Sequence, residues 1–261
     1  MDAARRKTYL KALGVELWVS RDAALPVDET LLVASATSST PVEPEMPATR
    51  RKTTAVAATP TAVLVASAVL PPVPQDWEGL RAAVKDCRRC KLCETRTQTV
   101  FGVGPEDAPM MVVGEGPGAD EDAQGEPFVG RAGKLLDEML RAIGRSRRDN
   151  VFIANVVKCR PPGNRDPEAD EVEACRPYLE QQIKLIKPRL IVGLGRIAAQ
   201  RLLATDQPLS KLRGPMHSYG ETRTPLFITY HPAYLLRSPR EKAKSWDDLK
   251  KVWRFLEGHG T

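Results

Sequence analysis

From Trp77 onward, short and almost continuously apolar runs alternate with longer stretches whose apolar residues recur every three or four positions. The runs are "MMVV" (110–113), "VFIANVV" (151–157), "LIVGLG" (190–195) and "PLFITY" (225–230). Strands that bury both faces read this way, and they belong to parallel sheets covered by helices. Helical spacing marks "AGKLLDEMLRAIG" (132–144), "EADEVEACRPYLEQQIKLI" (168–186), "RIAAQRLLA" (196–204) and "SWDDLKKVWRFLEG" (245–258). The alternation predicts an α/β domain with a central, mainly parallel four-stranded sheet and helices on both faces. Ligands of such sheets bind beyond the carboxyl ends of the strands. Each predicted strand ends in something polar or conformationally special: Glu115, Asn155, Gly193 to Gly195, and His231. Four loops therefore converge on one rim, which is the expected site.

Upstream the pattern is different. "DAARRKTYLKALG" sets Tyr9, Leu10 and Leu13 at helical spacing, stops at Gly14, and leads into the alternating "VELWV". Residues 1–20 are thus expected to form a small helix and strand unit. Residues 21–75 shift to Ala, Thr, Ser, Val and Pro with few aromatics, the composition of a disordered linker. The domain proper is expected over 76–261. The patch "AVLVASAVL" in the linker falls well short of the ~20 apolar residues of a membrane span. "MDAARRKTYLKALG" also lacks the apolar core of a secretory signal. A cytosolic, non-membrane protein is the expectation.

Charge changes this picture only mildly. Lys and Arg total 39 against 33 Asp and Glu, a net +6 with a pI near 9.1, carried almost entirely after Gln75. A polyanionic partner would suit it.

In a reducing cytosol the five cysteines point to metal more than to disulfides. "DCRRCKLC" supplies Cys87, Cys90 and Cys93, "VKCRPPGN" supplies Cys159, and "EACRPYL" supplies Cys175. A Cys-x-x-Cys pair grips from one turn and two distant thiolates close the coordination, which suits Zn²⁺ or an iron–sulfur cluster. Five thiols compete for four places, and spacing alone does not exclude Cys93.

The stretch "GEGPGADEDAQGEPFVGRAG", Gly114 to Gly133, poses a further question. Glycine-rich turns after a strand commonly cradle phosphate. This one carries Glu115, Asp120, Glu121, Asp122 and Glu126, which repel phosphate.

Six blocks, in order, resemble the signature blocks of the family-4 iron–sulfur uracil-DNA glycosylases. They are "CRRC", "FGVGPEDAPMMVVGEGPGADEDAQGEPFVGRAGKLLDEML", "NVVKCRPPGNRDP", "EACRPYL", "LIVGLGRIA" and "YHPAYLLRSP". The match covers roughly Trp77 to Phe255 and leaves the first 75 residues out. It implies a three-layer α/β/α fold, a structural [4Fe–4S] cluster, and excision of uracil from DNA after the nucleotide is flipped from the helix. Cluster ligands would be Cys87, Cys90, Cys159 and Cys175, with Cys93 left aside and Zn²⁺ the alternative metal.

Carried onto this sequence, the resemblance makes the loop a holder of an uncharged ring. Phe128 would stack on the uracil face, and Asn155 would pair with its edge through an amide that both donates and accepts. Glu121 would crowd the 5-position against the methyl of thymine. Gly116 stands where related families place an aspartate, so Glu115 and Glu121 become the candidates to position water. Asp120, Asp122 and Glu126 are expected to be solvated loop acids. His231 would stabilise the negative charge on departing uracil. Leu235 and Leu236 would enter the minor groove as a wedge, Arg237 would contact phosphate, and Gly193 and Gly195 would open a phosphate-binding helix. Asn164 and Arg165 are lesser candidates for backbone contacts.

Uracil-containing DNA, single- or double-stranded, is the expected substrate, and residues 1–20 could dock a replication or repair protein. Wider action on hypoxanthine or xanthine, and a nucleic-acid-binding module without catalysis, are the alternatives. A sister group trapped on DNA through a histidine in an inserted basic segment is disfavoured, because "NVVKCRPPGN" carries no such insertion.

Overall fold

A computed structural model describes residues 72–258. The proposed unit at 1–20 and nearly all of the proposed linker at 21–75 lie outside those residues.

Five strands form one sheet in the order β2-β1-β3-β5-β4. They are β1 (Met110–Gly114), β2 (Val151–Asn155), β3 (Leu190–Leu194), β4 (Met216–Tyr219) and β5 (Thr224–Thr229). β1, β2, β3 and β5 run parallel; β4 pairs antiparallel with β5, from Met216 opposite Phe227 to Tyr219 opposite Thr224. The expected four parallel strands are present, and β4 is an addition. Its sequence "MHSY" carries no apolar run because an edge strand is only partly covered, so nothing in the hydrophobic pattern announces it.

The alternation of side chains through the pleat divides the interior into two cores. Met111, Val113, Phe152, Ala154, Ile191 and Ile228 face one side, which is covered by α1 (Trp77–Lys85), α4 (Ala169–Ile186) and α5 (Gly195–Leu202). Met110, Val112, Val151, Ile153, Val192 and Phe227 face the other, covered by α3 (Arg131–Ala142) and α8 (Lys242–Leu256). The three layers expected from the sequence are thereby present.

β1 lies between β2 and β3, so the chain leaves it in one direction and later returns on its other side. A crevice opens at the carboxyl ends where the order reverses. The acid-rich loop after β1 is not wholly loop. Residues Ala119–Gln124 form a short helix, α2, capped by Gly125 in the left-handed region at φ 79°. No described helix is long and apolar enough to cross a membrane.

Candidate active site and cysteine centre at the strand ends

The last pairs of the β1–β2 ladder bring Gly114 opposite Asn155. A Cβ at Gly114 would stand 2.5 Å from Asn155 Oδ1 and 2.6 Å from Phe128 Cζ. Glycine is therefore required here by close approach, and one point of the strand end is shared by the amide and the ring. Asn155 is almost fully buried, and its Oδ1 has no hydrogen-bond partner. Such an atom costs about 1–3 kcal/mol unless something pairs with it. The backbone beneath it is fixed: the Asn155 carbonyl accepts from Lys158 Nζ at 3.1 Å, and the same ammonium donates to Gln182 Oε1 at 2.6 Å. Burial pulls that lysine down to about 8.

Phe128 adopts a left-handed backbone, φ 56°, which is unusual for an aromatic residue and costs of order 1–3 kcal/mol. Three neighbours hold it. Arg147 donates to the carbonyls of Pro127 (2.8 Å) and Phe128 (2.9 Å) while pairing with Asp137. Gly133 in α3 passes so close that a Cβ would lie 1.8 Å from the Phe128 carbonyl oxygen. The Glu121 carboxylate accepts from the amides of Gly118, Val129 and Gly130 at 2.9–3.2 Å.

Glu121 is therefore a brace of the loop, and its oxygens are already occupied. The acids divide by role. Asp122, expected to be solvated, is instead buried and receives the amides of Thr97 and Gln98, because the segment following the cysteines crosses under α2. Asp120 and Glu126 are exposed as expected. Glu115 lines the cleft, and burial together with the Asp166 carboxylate pushes it up to about 7, against a smaller opposing pull from Arg196.

His231 caps α7 (Pro232–Arg237): its Nδ1 accepts the Ala233 amide at 3.2 Å. That bond fixes the neutral tautomer with the proton on Nε2. Desolvation, followed by the charge of Arg237, lowers its pKa to about 4 despite an opposing pull from Glu121. The ring stands 5.5 Å from that of Phe128, centre to centre, at 33°. Gly195, at φ 84°, turns β3 directly into α5, and a Cβ there would come within 2.9 Å of His231 Cβ.

Phe128, Asn155, His231, Glu115, Gly116, Gly195 and Arg237 all line one open cleft of about 810 Å³. Gly193 does not. A Cβ on it would collide with Ile228 and Leu202, so it is a packing glycine of the sheet. Leu235 points into the core at 1 % exposure, and Leu236 is packed half-buried against the same core. The expected wedge role fails for Leu235 because the phase of α7 turns it inward. The large apolar side chain that α7 presents outward is Tyr234, 37 % exposed and in ring contact with Tyr230. Asn164 accepts from Arg160, and Arg165 is engaged by Glu171, so both shape the loop beside the cleft. Asp166, Arg196, Tyr230 and Tyr234 line the cleft without having been singled out in the sequence. Only a periodic outward position in "HPAYLLR" could have signalled Tyr234.

Away from the cleft, Cys87, Cys90, Cys159 and Cys175 line a single small cavity, and Cys93 stays outside it. Burial pushes the Cys159 thiol up to about 11 and Cys175 to about 12, so their thiolates need a positive partner. Donors already face the sulfurs: Arg96 Nη1 lies 2.9 Å from Cys159 Sγ, and the Lys158 amide 3.2 Å from Cys175 Sγ. Among the described residues, no three His, Cys, Asp or Glu side chains close around one ion. Four thiols lining one cavity are a donor set that suits either a single Zn²⁺ or an iron–sulfur cluster.

A family model for the uracil DNA glycosylase superfamily matches residues 101–257. The type-4 uracil-DNA glycosylase of Sulfurisphaera tokodaii is 45% identical over 181 residues, covering 67% of this chain and 82% of that protein. Its counterpart in Archaeoglobus fulgidus is 46% identical over 176 residues, 65% and 87% of the two chains. That of Pyrobaculum aerophilum is 45% identical over 193 residues, 70% and 98%.

Proposed function

The chain belongs to the uracil-DNA glycosylase superfamily, in its type-4 branch, and from that premise we propose how its cleft removes uracil from DNA. The enzyme is a DNA-repair hydrolase of the N-glycosidic bond, and the substrate is uracil-containing DNA. The observation that carries the site assignment is the buried, unpartnered Oδ1 of Asn155 beside the Phe128 ring. A buried acceptor awaiting a donor matches N3–H of uracil, and the amide nitrogen matches O4. Cytosine presents the reverse pattern, leaving mismatched groups at about 1–3 kcal/mol each.

The Phe128 and His231 rings are too close for a base, about 3.4 Å thick, to slide between them. Uracil instead lies across the free face of Phe128, worth about 1–3 kcal/mol of stacking, with His231 at its edge. Cleavage of C1′–N1 sends the bonding pair into the base. Because Nδ1 is engaged by Ala233, the neutral ring of His231 offers its Nε2–H to the carbonyl oxygen where that charge collects. Among the described residues no lysine lines the cleft to act as an imine-forming nucleophile, so water takes the sugar carbon and the backbone is left intact. Arg237, exposed on the rim, is assigned to phosphate, and Gly195 permits close approach of backbone.

Uracil release from a defined oligonucleotide tests this reading. Asn155→Ala should lower the single-turnover rate by about 10- to 100-fold, as loss of a buried pair at 1–3 kcal/mol requires. A protein that binds DNA in a salt-sensitive way yet frees no base would instead be a binding module. Release of hypoxanthine or xanthine at comparable rates would widen the substrate class.

We further propose that Cys87, Cys90, Cys159 and Cys175 hold a [4Fe–4S] cluster, Zn²⁺ being the alternative. When bound, it supplies four thiolate links joining the segment before β1 to the chain following β2. Its role is structural. Cys175→Ser should abolish the visible absorbance and the iron content of anaerobically purified protein. It should also lower the thermal midpoint by on the order of 10 °C, since several kcal/mol are lost and each is worth about 2–4 °C in a domain of this size. Stoichiometric zinc without iron would reject the cluster.

A further inference from the structure

The peptide that joins Asn155 to Val156 is pinned at both edges. On one side the Val156 amide donates to the Gly114 carbonyl at 3.0 Å, carrying the β1–β2 pairing one step past the strand end. On the other the Asn155 carbonyl accepts from the Lys158 ammonium at 3.1 Å. The Asn155 side chain branches from the atom next to that peptide. A rotation of the plane would therefore swing Oδ1 out of its place beside Gly114.

Lys158 is an unusual occupant of this position. It is a cation 1 % exposed, and its two acceptors, the Asn155 carbonyl and Gln182 Oε1, are both uncharged. A buried cation held by neutral oxygens is costlier than an apolar side chain of the same length, so stability alone is a weak reason for it. Its main chain is fixed without the side chain: the amide donates to Cys175 Sγ at 3.2 Å, and the carbonyl accepts from Val100 at 2.8 Å. The other anchor is rigid too. Gln182 is fully buried in α4, and its amide nitrogen donates to the Phe101 carbonyl at 2.9 Å. Lys158 also lines the cysteine cavity. The residue that meets one of the sulfurs through its main chain thus reaches the base of the recognition amide through its side chain.

Resting on the glycosylase reading above, we propose that Lys158 is a positioning residue for uracil: it fixes the peptide plane of Asn155 from the side of the cysteine centre and so aims the amide that reads the base edge. It does not line the cleft, and it acts only through Asn155.

The test is a double-mutant cycle on single-turnover uracil release from a single-stranded oligonucleotide. Lys158→Met keeps the length of the side chain and removes the ammonium. In the otherwise native protein it should lower the rate by about 10- to 100-fold, the loss that a displacement of about 1 Å can bring. In an Asn155→Ala background the same change should lower it by no more than about twofold, because the group it aims is gone. A lysine that merely supports the fold would lower both rates by the same factor. Gln182→Met takes away the far anchor and leaves the lysine in place. It should repeat the pattern with a smaller loss, and it carries the test if Lys158→Met does not fold. Metal content and thermal midpoint, recorded for each protein, keep the comparison to loaded, folded enzyme. Equal losses in the two backgrounds, or wild-type rates in both variants, would overturn the role of Lys158 alone. A wild-type protein that frees no uracil, or an Asn155→Ala protein that keeps the full rate, would overturn the glycosylase site reading and this proposal with it.

Discussion

Replacing Gly114 by Ala should reduce uracil release by on the order of 10²–10⁴-fold, the largest effect expected of any single added methyl in this enzyme. The new Cβ would need to sit 2.5 Å from Asn155 Oδ1 and 2.6 Å from Phe128 Cζ, inside the limits of both. β1 pairs with strands on each side, so its end cannot retreat. The amide or the ring must move instead. Losing edge recognition and stacking together amounts to about 2–6 kcal/mol, each part being worth about 1–3. The strands themselves need little change, so the thermal midpoint should fall by only a few degrees. A Gly114→Ala protein that releases uracil at the wild-type rate would mean that Asn155 and Phe128 do not engage the base at once.

His231→Ala should lower the single-turnover rate by about 10²–10³-fold, the range seen when one preorganised donor to a developing anion is removed. The pH behaviour makes the prediction more specific. Because desolvation holds this histidine down to about 4, it is neutral throughout the working range, and no limb near the usual histidine value should be assigned to it. A fall in rate as pH drops through about 7 would instead belong to Glu115, which burial first and the Asp166 charge second hold up at that value, and it should survive in His231→Ala at reduced height. Had the imidazole acted as a cation, activity would rise as pH falls, and removing it would erase the limb. Substrate affinity should change little, because the donor matters most once charge has gathered on the base.

The parallel strands were legible because consecutive buried positions leave an unbroken apolar run, as in "VFIAN" and "LIVGL". β4 was not, since a half-covered edge needs only an occasional apolar side chain. Asn155 and His231 could be found because they close strands at the rim where such sheets bind ligands. Their company could not: Glu115 and Asp166 line the same cleft although 51 residues apart, and nothing in "NRDP" distinguishes a cleft acid from a turn acid. The acid-rich loop misleads for a related reason. Charge pattern alone cannot say that Asp122 turns inward to receive amides from Thr97 and Gln98 while Glu121 ties down its own loop. Leu235 shows the same limit on one turn of helix, where a small rotation separates a residue facing solvent from one in the core.

The left-handed Phe128 has a consequence for how the enzyme meets its substrate. Its ring is aimed by a guanidinium, a glycine contact and a carboxylate that all act on the main chain, so the stacking platform stands ready before any nucleotide arrives. The deformation on engagement must then be borne by the nucleic acid. A uracil opposite guanine, already poorly held in the duplex, reaches such a preformed surface at lower cost than one paired with adenine.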